Sequence, residues 1–326
     1  MASATSPLPL TVVALGGNAL LPRGQTPTAA HQLEAVRAAA GSLAAIAAHT
    51  RLVITHGNGP QVGLLSLKEE AYRSTAPYPL DVLDAETSGQ LGYLIELELA
   101  NAVPGARTVA VLNRVLVDAG DPAFDDPTKF IGTTYTEQVA KDLAAERGWN
   151  VRADGEGWRR VVPSPEPRRI FQLGAVEQLV DGGFLVICVG GGGIPVVDTG
   201  RGHVGVEAVV DKDLSTALLA EGLGADLLIL ATDVDAAYLD WGGPEQRAIR
   251  ETTPASLRAR GFAGGSMGPK VEAACRFVEG TGGRAAIGAL ADLPGLVAGT
   301  AGTQVSKDAG AALLGEAGVE AELLRQ

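Results

Sequence analysis

Lysines beside glycine-rich turns are the residues of this chain best suited to chemistry. Lys212 stands between Asp211 and Asp213, just ahead of the helix-favouring stretch Leu214 to Glu221. Lys270 follows Pro269 in the first turn of an expected helix, after Gly264-Gly265-Ser266-Met267-Gly268. A cation at a helix N-terminus opposes the macrodipole by about 0.3–1 kcal/mol. Two such lysines next to glycine loops, whose backbones can approach an anion closely, suggest that an anion reverses the balance. The plainer alternative is a pair of solvated lysines offset by local carboxylates. Lys129, in Asp126-Pro127-Thr128-Lys129-Phe130-Ile131-Gly132, is a third candidate, although taken alone it would be a loop lysine. Phosphoryl transfer needs positioned cations and N–H donors around the transferring group, with a metal on the nucleotide phosphates. Asp211, Asp213 and Asp233 would orient the lysines or hold Mg²⁺.

Other chemistries find less support. His56 precedes a glycine turn, but no second histidine lies nearby to make a metal pair, so it reads as a hydrogen-bonding turn residue. Ser42, Ser66 and Ser88 lack a G-x-S-x-G elbow, which disfavours a serine hydrolase. Cys188, inside an expected core strand, and Cys275, on a helix face, read as packed small hydrophobes. Two cysteines make neither a disulfide framework nor a four-cysteine zinc cluster, and no protein-only metal site is expected. The phosphate loop G-x-x-x-x-G-K-[ST] is missing, and Gly57-Asn-Gly-Pro-Gln-Val-Gly63 is one residue too long for G-x-G-x-x-G.

The elements that must position these residues are legible as apolar runs ending in glycine. Leu10 to Leu15 runs into Gly16-Gly17-Asn18, and Arg51 to Thr55 into His56-Gly57-Asn58-Gly59. Phe184 to Val189 runs into Gly190-Gly191-Gly192-Gly193, and Asp226 to Ala231 into Thr232-Asp233. Short apolar strands alternating with helical stretches predict a parallel sheet covered on both faces. Helices are expected over His31 to His49, Pro60 to Arg73, Ala85 to Asn101, Leu214 to Glu221 and Pro269 to Glu279. Ligands of such sheets bind outside the carboxyl ends of the strands, where all four glycine loops fall. From Asp118 to Arg169 the strand signal fades while charges, prolines and aromatics gather, which predicts an inserted lid. Trp149 and Trp158 suggest that it has a small core of its own.

Size and charge close off further classes. The 326 residues, 46% hydrophobic, suffice for a large core, and 26 basic against 38 acidic residues give a net charge of −12. Such a chain repels phosphate backbones, so nucleic-acid binding is not expected. Residues 1 to 22 are uncharged but lack the positive start of a signal peptide, and no apolar stretch of about 18 residues occurs. A cytoplasmic protein with no membrane span, frayed only over Met1 to Ser6, is the expectation.

Six motifs in series now resemble one family. They are Val12-Val-Ala-Leu-Gly-Gly-Asn-Ala-Leu20, Thr55-His-Gly-Asn-Gly-Pro-Gln-Val-Gly63, Pro127-Thr-Lys129, Cys188-Val-Gly-Gly-Gly-Gly-Ile-Pro-Val196, Gly205-Val-Glu-Ala-Val-Val-Asp-Lys-Asp213 and Gly265-Ser-Met-Gly-Pro-Lys-Val-Glu-Ala273. Together, over roughly Leu10 to Val305, they look like carbamate kinase, of the amino-acid kinase superfamily. The resemblance implies a three-layer αβα sandwich around an open, mainly parallel sheet, with a small protruding lid over residues 118–169. Roughly 10–205 would form a substrate-phosphate half and 206–326 a nucleotide half of a single domain spanning 1–326. It also implies a homodimer that moves a phosphoryl group between ATP and carbamate, giving ADP and carbamoyl phosphate with Mg²⁺, run toward ATP when arginine or a similar compound is degraded. Alternatives are a superfamily kinase for another small carboxylate or phosphate, and a catalytically silent nucleotide-binding sensor.

By motif match, Lys129 and Lys212 contact the transferring phosphoryl group, Lys270 holds the nucleotide phosphates and Asp213 orients the lysines. Gly16, Gly17, Asn18, Gly57, Asn58, Gly59, Gly191 and Gly192 line the substrate side, the first loops offering backbone or amide donors. Asp211, Lys212, Thr232, Asp233, Val234, Ser266, Met267 and Lys270 line the nucleotide side. Carboxylate-phosphorylating cousins such as acetylglutamate kinase carry a lysine two residues before the Gly-Gly pair. Here that position is Ala14, and Lys129 fills the role instead. Phe130 stands where the family commonly has proline, which predicts a less constrained lid loop.

Overall fold

The computed structural model describes residues 7–20, 28–72, 77–262 and 267–308, with Asn18 described by its backbone alone. Met1 to Ser6 and Ser266 lie outside them. Eight strands form the central sheet: β1 (Leu10–Leu15), β2 (Arg51–His56), β3 (Arg107–Ala110), β4 (Phe184–Ile187), β5 (Leu227–Thr232), β6 (Glu251–Thr252), β7 (Arg284–Ala289) and β8 (Thr303–Val305). Their order is β6-β8-β7-β5-β1-β2-β4-β3. Every neighbouring pair is parallel except β7 with β8.

The side-chain period of two divides the core between the sheet's faces. Leu10, Val12 and Ala14 of β1 join Leu228 and Leu230 of β5 in one cluster. Helices Leu173–Asp181, Lys212–Gly222 and Met267–Thr281 complete it with Val176, Leu219 and Phe277. The alternate residues, Val13, Leu15, Leu227 and Ile229, pack against Val36 and Leu43 of helix Ala29–Ala47 and Leu91 and Ile95 of helix Leu80–Ala102. The expected three-layer αβα sandwich is therefore present. The fourth strand is shorter than read from sequence, ending at Ile187, because Val189 turns into the left-handed region (φ 49°) and leads into the glycines. Cys188 thus sits buried just past the strand rather than inside it.

Between β3 and β4 the chain leaves the main sheet. Strands Lys129–Tyr135, Gly157–Val162 and Asn150–Asp154 form a separate antiparallel sheet, with helix Glu137–Arg147 connecting two of them. Two expectations for this region are corrected. Trp149 and Trp158 are half-buried and carry cations on their rings, Arg147 and Arg160 on the first and Lys141 on the second. The apolar contact is instead shared, with Ile131 and Val162 packing among Val62, Leu80 and Leu83 of the neighbouring helices. Lys129 is also not in a loose loop. It opens a strand paired with Val162, and Phe130 pairs with Val161 in the same ladder.

One contact fastens this sheet to helix Gly59–Ala71. A Cβ on Gly63 would lie 2.1 Å from the Cα of Gly132, whose own φ is +73°. Only backbone stands in the way, so nothing flexible can yield. Gly63→Ala is expected to destabilise by about 1–3 kcal/mol, the usual cost of overpacking. Urea unfolding checks the magnitude, and faster amide exchange confined to residues 129–135 would locate the damage.

Candidate active site

The carboxyl ends of β1, β2, β4 and β5 open into loops that touch one another. A Cβ on Gly16 would lie 3.3 Å from the Ala231 carbonyl oxygen at the end of β5, and one on Gly17 3.6 Å from the Pro60 ring. On Gly57 it would lie 3.3 Å from Lys212 Cδ and 3.5 Å from the Gly17 nitrogen. The four-glycine turn closes the cluster. Gly191, at φ +67°, leaves no room for a side chain, since a Cβ would meet Asp84 Oδ1 at 2.4 Å and Asn58 Nδ2 at 2.5 Å.

Helix Lys212–Gly222 supplies the charged centre. Asp211 caps it, its Oδ1 accepting from the Asp213 and Leu214 N–H groups, which satisfies donors that a helix start leaves open. The other oxygen of Asp211 accepts from Lys129 Nζ at 2.5 Å, reaching across from the lid strand. Asp213 Oδ1 accepts from Lys212 Nζ at 2.5 Å and Oδ2 from Lys270 Nζ at 2.9 Å. The three lysines named from sequence thus meet on two carboxylates. Local carboxylates do offset the lysines.

Burial decides the protonation behaviour. Desolvation lowers the Lys212 ammonium to about 8, against the support of Asp213 and with a further push from Lys270. Asp213 is desolvated too, yet the two ammonium groups outweigh that and hold it well below the ordinary carboxylate range. For Lys129, burial opposes the charge, but the Asp211 carboxylate overcomes it and the pKa stands above its ordinary value. His56, packed against Gly190, is pushed down to about 4 mainly by burial, so it is neutral near pH 7 and acts as a turn residue.

Several expected donors are already engaged. The Gly57 N–H bonds the Leu15 carbonyl at 3.1 Å and the Gly192 N–H bonds the Val189 carbonyl at 3.2 Å, so both glycines provide room rather than hydrogens. Asn58 was expected to offer its amide, but Nδ2 donates to Asp84 Oδ1 and to Thr87 Oγ1 at 2.9 Å. Gly59, first residue of helix Gly59–Ala71, and Gly17, opening the short helix Gly17–Leu20, remain at helix starts, where N–H groups lack intrahelical partners. Of the two roles expected for Asp211 and Asp213, the structure displays the orienting one, all four of their oxygens being bonded to lysines or backbone. Among the described residues no group of three metal-ligating side chains occurs.

On the nucleotide side, Thr232 Oγ1 donates to Asp233 Oδ1 at 3.2 Å, where β5 ends beside Gly16, and Val234 follows half-buried. Met267 starts helix Met267–Thr281 and packs on the core one turn before Lys270, while Ser266 lies outside the described residues. Sequence reasoning missed Asp84, Thr87 and Ser88, whose helical spacing alone gave no signal of a polar cluster under the glycine turn. It also missed a cleft of about 970 Å³ between lid and helix, walled by Glu70, Tyr72, Trp149, Arg160 and Glu207, which none of the three lysines lines.

Residues 9–289 match the Amino acid kinase family. A carbamate kinase from Rhizobium meliloti (strain 1021) is 53% identical over 299 residues, covering 90% of this chain and 92% of that protein. Another from Thermococcus kodakarensis is 44% identical over 311 residues, covering 91% and 99%. The structure of carbamate kinase from Giardia lamblia bound to AMP-PNP superposes with a TM-score of 0.85 at 40% identity, over 93% of this chain and all (100%) of that one.

Proposed function

This chain belongs to the amino acid kinase family and is an ATP-dependent phosphotransferase acting on carbamate, and from that premise we propose how its residues divide the reaction. Lys129 and Lys212 contact the transferring phosphoryl group, Lys270 holds the nucleotide phosphates, and Asp213 fixes the two buried lysines. In one direction a carbamate oxygen takes the γ-phosphoryl of ATP, and in the other the bond from carbamoyl oxygen to phosphorus breaks as ADP takes the group back. The nucleophile is a carboxylate in one case and a phosphate in the other. Neither has a proton to lose, so no general base is required. Asp213 bridging Lys212 and Lys270 through its two oxygens is the observation that carries this reading. Positioned charge is the main device by which such sites lower the barrier.

Finer features belong to the same proposal. Mg²⁺ comes bound to the nucleotide phosphates, the usual way for an ion that keeps several waters and few protein ligands. The lid spans 118–169, with 10–205 serving the substrate phosphate and 206–326 the nucleotide. A cytoplasmic homodimer forms through the face where exposed Tyr93 and Leu112 line one groove beside the edge strand β3. Flux runs toward ATP in the breakdown of arginine or a related compound. Among the described residues no helix is long and apolar enough to cross a membrane.

The test is ATP formation from ADP, Mg²⁺ and fresh carbamoyl phosphate. Rapid synthesis is expected, and an inactive protein that still binds ADP would overturn the reading. The pH profile adds a second check. A Lys212 ammonium titrating near 8 predicts that kcat/KM for carbamoyl phosphate falls as pH rises through that value, since this parameter reports the free enzyme. Stability moves the other way. Between about 8 and the ordinary 10.5 the unfolded chain binds the extra proton, so unfolding becomes harder as pH rises. A profile flat across that window would remove Lys212 from the reacting phosphoryl.

A further inference from the structure

Asn58 precedes helix Gly59–Ala71 as its capping residue, yet its side chain makes no capping bond. It is drawn instead into a buried cluster with Asp84 and Thr87 of helix Leu80–Ala102. Thr87 settles which way the amide faces. Its hydroxyl hydrogen is committed within its own helix, to the Leu83 carbonyl at 2.8 Å, so toward Asn58 its oxygen can only accept. The atom facing it is therefore Nδ2, and both amide hydrogens are used on Thr87 and Asp84. Gly191 packs on the same amide group, and only a residue without Cβ fits there.

The oxygen of that locked amide takes no part in the cluster's bonds. Asp84 Oδ2 and Ser88 Oγ in this cluster are sealed in without partners, whereas Asn58 Oδ1 is not among such sealed atoms and bonds no described residue. An acceptor held in this way, one residue from Gly57 where the Lys212 side chain and Gly17 meet, faces a need of the substrate. Carbamate and carbamoyl phosphate differ from acetate and acetyl phosphate only in an NH₂ where the others carry a methyl. Lysines and backbone N–H groups recognise the phosphoryl and carboxyl oxygens, but they cannot tell NH₂ from CH₃.

We propose that Asn58 is the specificity-determining residue of this site, its amide oxygen accepting an N–H of the carbamoyl group, with Thr87 and Asp84 as the residues that position it. The assignment rests on the carbamate-phosphorylating reading given above. A site built to bond a substrate N–H rejects the analogue lacking it, because an acceptor without its donor is left unpaired.

The test compares kcat/KM for carbamoyl phosphate and acetyl phosphate as phosphoryl donors to ADP, in the whole enzyme. The ratio of the two is expected to fall about tenfold or more in Asn58→Ala, the scale of a hydrogen bond with an unpaired partner. Thr87→Val keeps Asn58 but frees its amide to rotate, and should lower the ratio in the same direction with a smaller change. Thermal melting confirms that each variant is folded, and Thr87→Val carries the test if Asn58→Ala is not. An unchanged ratio in folded variants overturns the assignment while leaving the overall reaction standing. A wild type that makes no ATP from carbamoyl phosphate overturns the reaction reading, and the assignment with it.

Discussion

Asp213→Ala is expected to cost about 3–5 kcal/mol of stability and to abolish turnover, because it removes the carboxylate that two buried ammonium groups share. Lys212 and Lys270 are 11% and 7% exposed and share the two oxygens of this one carboxylate. They can escape mutual repulsion only by shedding a proton, which removes the charge that would meet a phosphate. The pH dependence of stability carries the same signature. With Asp213 held below its ordinary 3.8, its contribution is complete above that value and drains away as pH falls toward the folded pKa. The variant should therefore show a shallower acid limb as well as a lower urea midpoint. Asp213→Asn, which keeps an acceptor, should recover part of the stability and none of the rate. A variant within about 1 kcal/mol of wild type would mean that the lysines are neutral or neutralised elsewhere.

Lys129→Ala separates rate from stability. Its side chain is 35% exposed and its partner Asp211 keeps the bonds that cap helix Lys212–Gly222 whether or not the lysine is present. Folding should therefore be nearly unaffected, within about 1 kcal/mol. Turnover should fall about 10²–10³-fold, the loss typical of removing one donor aimed at developing charge. Steady-state ATP formation measures the loss, and an unchanged far-ultraviolet spectrum excludes unfolding. A drop of less than about threefold would place Lys129 away from the reacting phosphoryl.

The framework of this molecule could be read from its sequence because each central strand ends where its apolar run meets glycine. Leu10 to Leu15 is reproduced residue for residue, and the three lysines stood out by their places at glycine turns and helix starts. Hidden from the sequence was how donors and acceptors would be used. Gly57 looks like an anion donor until its N–H group is found bonded to the Leu15 carbonyl. Asp84 gave no warning at all. Its environment is made by Asn58 and Gly191, which are far off in sequence, and burial among them lifts its carboxyl to about 7. Phe130 looked like a loosening of the lid only because the strand holding it depends on Val161, some thirty residues later.

The facing glycines at 63 and 132 carry a consequence for how this sequence can change over time. At most crowded contacts a larger residue on one side can be tolerated once its neighbour shrinks, so the two positions drift together. Here the residue facing Gly63 already has no side chain to shrink, and the obstruction is main chain, while Gly132 has room for a Cβ but a φ of +73° that L residues rarely adopt. No compensating replacement exists for position 63. It is a dead end for substitution unless the backbone of the lid strand first moves away from the helix. Such a shift would carry Lys129, three residues upstream, away from Asp211, so drift here is closed off by the chemistry as well as by the packing.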